Sequence, residues 1–363
     1  MRRRCLGWLL GGISLLAAGC GAAPGPLTSP SALLSSASAP ATQIVAPAAL
    51  PSLSPATGAG VVGAGAVRLG TTNGAPAAPS GSPTTLAIRA GSLRLPAPTT
   101  RAVAFATASG LVVAGGLTPT GTTGRVVRIP VDGRPAATVG RLAHPVHDAA
   151  GAVLHGSMLV FGGGASTQDA WVQRVLIGGA GDVPGRLPSA RADLAAVATG
   201  SQVIVIGGGA SGRADPRVLA TSDGVHFRTV ADLPVPVRYA AVAAVGATVV
   251  VVGGTSSTGD VAVIQAVDLR RGTATVVGRL PRTLSHATAL VIGGVVVIAG
   301  GRHGGRALDG VLGVDPASYR VRAAGHLPRP ESDAAGAVID DVGYLVGGES
   351  TGPLATIVTI AAG

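Results

Sequence analysis

The same order of apolar and polar positions recurs six times along the chain. A leucine, usually followed by proline, precedes by six residues a polar side chain that opens an alanine-rich run. A small turn comes next, then a β-branched run closed by two glycines. One copy reads Leu280-Pro281, then Ser285 through Val291, the turn Gly293-Gly294, and Val295 through Ala299 before Gly300-Gly301. The leucines are Leu95, Leu142, Leu187, Leu233, Leu280 and Leu327, spaced by 45 to 47 residues. Gly115, Gly162, Gly207, Gly253, Gly300 and Gly347 each follow their leucine by 20 residues. An offset held constant while the residues within it change marks a structural repeat.

Each repeat divides into four short strands. In the fourth they are predicted at Tyr239–Val245, Thr248–Gly253, Val261–Asp268 and Thr273–Arg279, with turns at Gly246, at Arg271-Gly272 and at the Leu-Pro step. No stretch carries sustained helical periodicity. Four strands in about 46 residues is the length of a propeller blade, so the pattern predicts an all-β, six-bladed β-propeller over residues 84–363. The last repeat supplies only three strands, at Asp333–Ile339, Val342–Gly347 and Ala355–Ile360. An orphan strand at Leu86–Leu93 aligns with the fourth strands elsewhere. The N-terminal strand is therefore expected to complete the C-terminal blade and leave no large open edge. Alanine concentrates in the first strands, as in Ala240-Ala241-Val242-Ala243-Ala244, which places them at a crowded axis. Second strands such as Val249–Val252 are bulkier and suit the spaces between blades.

The six glycine pairs, the apolar strands before them and the turn spacing resemble the kelch-repeat family. Kelch repeats also carry a tyrosine and a tryptophan after the glycines, of which Trp171 and Tyr319 are isolated survivors here. The resemblance implies a propeller; kelch domains are mostly binding platforms and a few are enzymes, so fold alone leaves the function open.

Composition changes the picture mainly at the N-terminus. Aromatics are only 2% of the chain, so the core must be made of Val, Ala, Leu and Ile. All 27 basic residues are arginine and the net charge is +10. These arginines are scattered and not interleaved with aromatics, which argues against nucleic-acid binding. The two cysteines, Cys5 and Cys20, lie outside the repeats, so no disulfide or cysteine-based metal site is available there. Residues 1–20 read as an export signal: Arg2-Arg3-Arg4, an apolar stretch from Leu6 to Ala18 too short to span a bilayer, then Gly19-Cys20. Leu16-Ala17-Ala18-Gly19-Cys20 resembles the lipobox of bacterial lipoproteins. That implies cleavage before Cys20 and lipid on it, anchoring the protein to the outer side of a bacterial membrane. The arginine run also permits twin-arginine export. Residues 21–83 are mostly Ala, Pro, Ser, Thr and Gly and read as a disordered tether, since they offer too little side chain to offset ordering.

Candidate chemistry sits at one mouth of the axial channel. Six residues after the repeat leucines stand Arg101, Asp148, Asp193, Tyr239, His286 and Asp333; the position before them adds Thr100, His147, Arg238, Ser285 and Ser332. The loops after the glycine pairs, carrying Gln168, Asp169, Arg213, Asp215, Asp260, Arg302, His303, Arg306 and Glu349, open on the same face. Such residues also suit the wet end of any strand, but a ring of mixed charges can hydrogen-bond a sugar or a peptide. Ser222 through Phe227 resembles the Asp-box of sialidase-like propellers and reads as a plain hairpin turn. The candidate carboxylates and histidines come from different blades without metal-ligand spacing, so no metal is assigned. There is no phosphate loop, no serine nucleophile elbow and no cysteine for a copper-radical site, and no cofactor is expected.

The leading expectation is a monomeric, non-enzymatic lipoprotein that binds an envelope protein or glycan. The alternative is a sugar mutarotase or epimerase, because six-bladed kelch proteins of bacteria include a sialic-acid mutarotase. Asp148, Asp193, His286 and Asp333 would then supply acid–base groups. A third possibility is a spacer, which a fully self-paired arginine–aspartate network at the mouth would favour.

Overall fold

The computed structural model describes residues 85–363, and these form β-structure, turns and loops without a helix. The expected leader over 1–20 with Cys20 and the expected tether over 21–83 lie outside the described residues. Six antiparallel sheets follow in chain order, each a path of four strands; two carry an additional short hairpin strand, Arg213–Ala214 and Arg302–His303. The fourth sheet comprises Ala241–Val245, Thr248–Val252, Val263–Asp268 and Thr273–Arg279 in that order, within two residues of the predicted bounds. First strands touch first strands of both neighbouring sheets all the way round, which closes the six blades about an axis.

The ring is shut as predicted. Leu86–Arg94 pairs antiparallel with Thr356–Ala362, with Ile88 opposite Ile360 and Ala90 opposite Val358, and forms the outermost strand of the sixth blade. As a fourth strand it runs toward the same face as the candidate mouth, so Leu86 starts on the opposite face.

There is no single core. Six apolar clusters each join two neighbouring blades, for example Val250, Val252 and Ile264 of blade four with Val296, Ile298 and Val314 of blade five. This layering explains why second strands are bulky and first strands small. The recurring leucines and glycines have one physical cause. The first glycine of each pair has positive φ, and a carbonyl from the next blade crosses close over it. At Gly347 (φ 69°) an added Cβ would lie 2.1 Å from the Thr99 carbonyl oxygen and 3.0 Å from Leu95 Cδ1, the repeat leucine of that blade. No side chain fits there, and the buried leucine fills the space the glycine leaves.

Candidate functional site

The six residues expected at the mouth form a closed circle of backbone hydrogen bonds. Each N–H donates to the carbonyl of its counterpart in the preceding blade. Asp148 bonds Arg101 (3.2 Å), Asp193 bonds Asp148 (2.8 Å), Tyr239 bonds Asp193 (2.9 Å) and His286 bonds Tyr239 (2.9 Å). Asp333 then bonds His286 (3.0 Å), and Arg101 bonds Asp333 (3.0 Å) across the junction of the first and last blades. To reach both neighbours, all six residues adopt left-handed backbone, with φ from 53° to 62°. Aspartate and histidine tolerate this region better than most residues, whereas Arg101 and Tyr239 hold it against their preference.

The residue before each of these pairs with the residue after its blade's glycine pair: Thr100 with Leu117, His147 with Gly164, Arg238 with Thr255, Ser285 with Arg302 and Ser332 with Glu349. In blade three, Ala192 pairs with Gly209. This second circle brings Arg302 and Glu349 over blades five and six but only glycine over blades two and three.

The circle encloses a hollow of about 110 Å³. Its walls are the six mouth residues and its floor is Ala102, Ala149, Leu194, Ala240, Ala287 and Ala334. The two sides of the hollow differ. Around Asp333 the carboxylate is saturated: His286 Nδ1 lies 2.6 Å away, Ser332 Oγ donates at 2.7 Å, and Arg302 Nη2 and Arg101 Nε stand at 3.3 and 3.8 Å. Arg302 also pairs with Glu349, and Arg101 Nη2 reaches the same carboxylate at 3.9 Å. Burial works to raise the Asp333 pKa, but the His286 hydrogen bond and charge, Ser332 and Arg101 outweigh it and hold it below the usual range. Arg101 is likewise held charged, since Asp148 and Asp333 outweigh its burial.

Across the hollow, donors are scarce. Asp148 accepts one hydrogen bond, from Arg101 Nη1 at 3.2 Å, and Asp193 is paired with Arg238 at 2.8 Å. Burial pushes Asp148 up to about 6, with Arg101 opposing and the charges of Asp193 and Asp333 adding. Burial raises Asp193 as well, against the Tyr239 hydroxyl and Arg238. The Tyr239 phenol is pushed well above its ordinary value by burial and by both aspartates. Its ring stacks on His286 with centroids 3.8 Å apart. His147 flanks the circle, with Nδ1 2.9 Å from Thr122 Oγ1 and Nε2 3.6 Å from Asp148 Oδ2; burial and then Arg101 lower its pKa, against the charge of Asp193.

All eight candidate residues therefore stand at one mouth, with His147 and Arg238 outside the hollow they flank. Of the loop residues, Arg302 and Glu349 join the network. Asp215 does not: it is bound by Arg191, Arg217 and Ser189 within blade three. Asp260 is held by Thr255, and His303 turns to Thr283. Asp223 makes the expected turn, accepting the N–H groups of Val225 and His226 at 2.8 Å each. Two buried charges went unread in the sequence, Arg191 and Glu331; both occupy one repeat position, two residues before the mouth, where other copies have Thr99, Val146, Val237 and Leu284.

Fold and site together define a six-bladed β-propeller with a polar, partly self-paired axial mouth. No protein-family model matches the chain, and no curated protein matches it. Among solved structures it is similar to that of YjhT, with a TM-score of 0.63 and 13% identity over 73% of this chain and 95% of that one. The likeness is one of fold.

Proposed function

We propose that the chain is an extracytoplasmic lipoprotein of kelch type, anchored through lipid on Cys20, whose propeller binds a glycan at the axial mouth. The observation that carries the reading is the hollow itself: polar side chains from all six blades converge on one point above a floor of small apolar residues. At roughly 10–15 Å³ for each water-sized group, about 110 Å³ holds some seven to eleven such groups, close to the size of one sugar ring. A protein surface would need a broader face. Alternating acceptors and donors around an apolar floor suit the edges and face of a pyranose. The N-terminal strand starts on the face opposite the mouth. A glycan array probed with the full chain tests this. Arg238→Ala and His286→Ala should weaken any binding at least tenfold while far-UV circular dichroism stays unchanged. Undiminished binding by both variants would reject the mouth as the site.

A second reading has its own support. Asp148, pushed up to about 6 by burial beside the hollow, is poised to exchange a proton near neutral pH, as mutarotation of a sugar requires. Accelerated interconversion of sugar anomers, followed by NMR and lost in Asp148→Asn, would favour the enzyme over the platform.

A further inference from the structure

The mouth is unevenly supplied with positive charge and hydrogen-bond donors. The two circles carry four carboxylates, Asp148, Asp193, Asp333 and Glu349, against three guanidiniums, Arg101, Arg238 and Arg302. The guanidiniums alone fall one short of the carboxylates; His286 lies against Asp333, and His147 Nε2 stands 3.6 Å from Asp148 Oδ2. The excess is not spread evenly. Asp333 and Glu349 share Arg101, Arg302, His286 and Ser332, so their side of the hollow is closed on itself. Asp148 and Asp193 have one guanidinium each. A carboxylate offers about four acceptor positions, so both retain unused capacity. Both line the hollow; the second circle sets the side-chain-free Gly164 and Gly209 over blades two and three, with His147 beside Asp148 and Arg238 on Asp193. Two partly buried carboxylates of neighbouring blades thus line the hollow with acceptor positions left over after Arg101 and His147 beside Asp148, and Arg238 and the Tyr239 hydroxyl beside Asp193. Burial raises the Asp148 pKa, and the charges of Asp193 and Asp333 add to it, against the opposing pull of Arg101.

We propose that the part of the hollow between Asp148 and Asp193 takes the free ammonium group of an amino sugar. The proposal rests on the glycan-binding reading and narrows it: a hexosamine unit with an unsubstituted amine is preferred over its N-acetylated, neutral and acidic counterparts. An ammonium brings three donors and a positive charge to two carboxylates that have one guanidinium each. A carboxylated sugar would meet Asp148 and Asp193 with like charge, and Arg101 cannot turn to it without leaving Asp148 and Asp333. The arginine-rich surface elsewhere does not reverse the preference, because exposed charges beyond about 8–10 Å are largely screened at physiological salt.

The test is calorimetric titration of the detergent-solubilised full chain with methyl glycosides at pH 7. The probes are glucosamine, galactosamine, their N-acetyl forms, glucose, galactose and the two uronic acids. Binding of a free-amine glycoside at least tenfold tighter than its N-acetyl and uronic counterparts is expected. That preference should shrink severalfold in wild-type protein at pH 5, where Asp148 takes up a proton, and in Asp193→Asn at pH 7. The pH arm needs no variant to fold. Equal affinities, or tighter binding of a uronic acid, would overturn the amine preference and leave the glycan reading standing. Failure of every glycoside to bind would overturn both.

Discussion

Glu331 occupies the place where the ring is most exposed to a change of pH. Its backbone belongs to the closing machinery, for its carbonyl accepts the N–H of Gly301 in the preceding blade at 2.8 Å. Equivalent carbonyls elsewhere belong to Thr99, Val146, Arg191, Val237 and Leu284, each accepting from the second glycine of a pair. At this position the side chain is buried between blades, and Glu331 is 2% exposed. Arg191 at the same position satisfies its charge with Asp215 and with the carbonyls of Gly207 and Arg217. Neither carboxyl oxygen of Glu331 has a hydrogen-bond partner. Burial drives its pKa from 4.5 up to about 7, with the charge of Arg329 only partly opposing.

The consequence for stability has a definite sign. The folded chain holds this proton more tightly than the unfolded chain does. The stability present below pH 4.5 is therefore lost as pH rises through about 7, and no further loss follows above it. A displacement from 4.5 to about 7 corresponds to about 3 kcal/mol between the two limits. Glu331→Gln, which cannot ionise, should exceed wild type by about 1 kcal/mol at pH 5 and by about 3 kcal/mol at pH 8. Glu331→Leu, copying Leu284 at the equivalent position, should be more stable than wild type at both. Urea denaturation followed by far-UV circular dichroism measures each. Other titrating groups, Asp148 among them, cancel in the difference between wild type and variant. A difference between wild type and Glu331→Gln that is the same at pH 5 and pH 8 would refute the reasoning.

Three further outcomes follow from the ring. Gly347→Ala should cost well over the roughly 1–2 kcal/mol of a left-handed alanine, because its Cβ would displace the Thr99 carbonyl; Gly294→Ala, with positive φ and open space around it, should cost no more than that penalty, and equal costs in urea melts would contradict the close approach. Asp333→Ala strips His286, Ser332 and Arg302 of their common acceptor and should destabilise by about 3–5 kcal/mol, which thermal denaturation will register. A chain begun at Leu95 lacks the strand paired with Thr356–Ala362 and should lose its cooperative transition or self-associate through the bared edge; an unaltered melting curve and gel-filtration volume would mean that closure contributes nothing.

The repeat was legible because its spacing reports contacts that every blade must make. A glycine that must pass under a neighbour's carbonyl, and a leucine that fills the space beside it, leave little freedom of identity or offset. The orphan strand at Leu86 was legible for the same reason, since a blade with three strands announces its missing fourth. The mouth residues could be located from their offset but their pairing could not. Whether Asp333 or Asp148 receives the histidine depends on how side chains lean across blades, and no spacing within one repeat records that. The left-handed backbone at all six mouth positions was visible only in part: three aspartates and a histidine fit it, while Tyr239 and Arg101 conceal it. Arg191 and Glu331 escaped notice because a charge two residues before the mouth looks like a loop residue until the neighbouring blade is packed over it.

Closure and the proposed binding site are consequently the same construction at two radii. The hydrogen-bonded circle that fixes the mouth runs through Arg101 and Asp333, the pair that bridges the first and last blades. Arg101 also holds Asp148, and Asp333 holds His286, which stacks on Tyr239. Five of the six mouth residues are thereby tied to the seam where the chain's ends meet, and Asp193 joins them through the Tyr239 hydroxyl while Arg238 holds it from outside. Loosening the outermost strand at Leu86–Arg94 lets the seam open, and the hollow then loses its wall on the donor-rich side first. A ligand that fills the hollow gains only from the closed ring, so binding stabilises closure in proportion to the logarithm of ligand concentration above its dissociation constant. Protection of the Arg101 and Asp333 amides from hydrogen exchange should rise with ligand, while that of hairpins on the opposite face, such as Gly293-Gly294, should not.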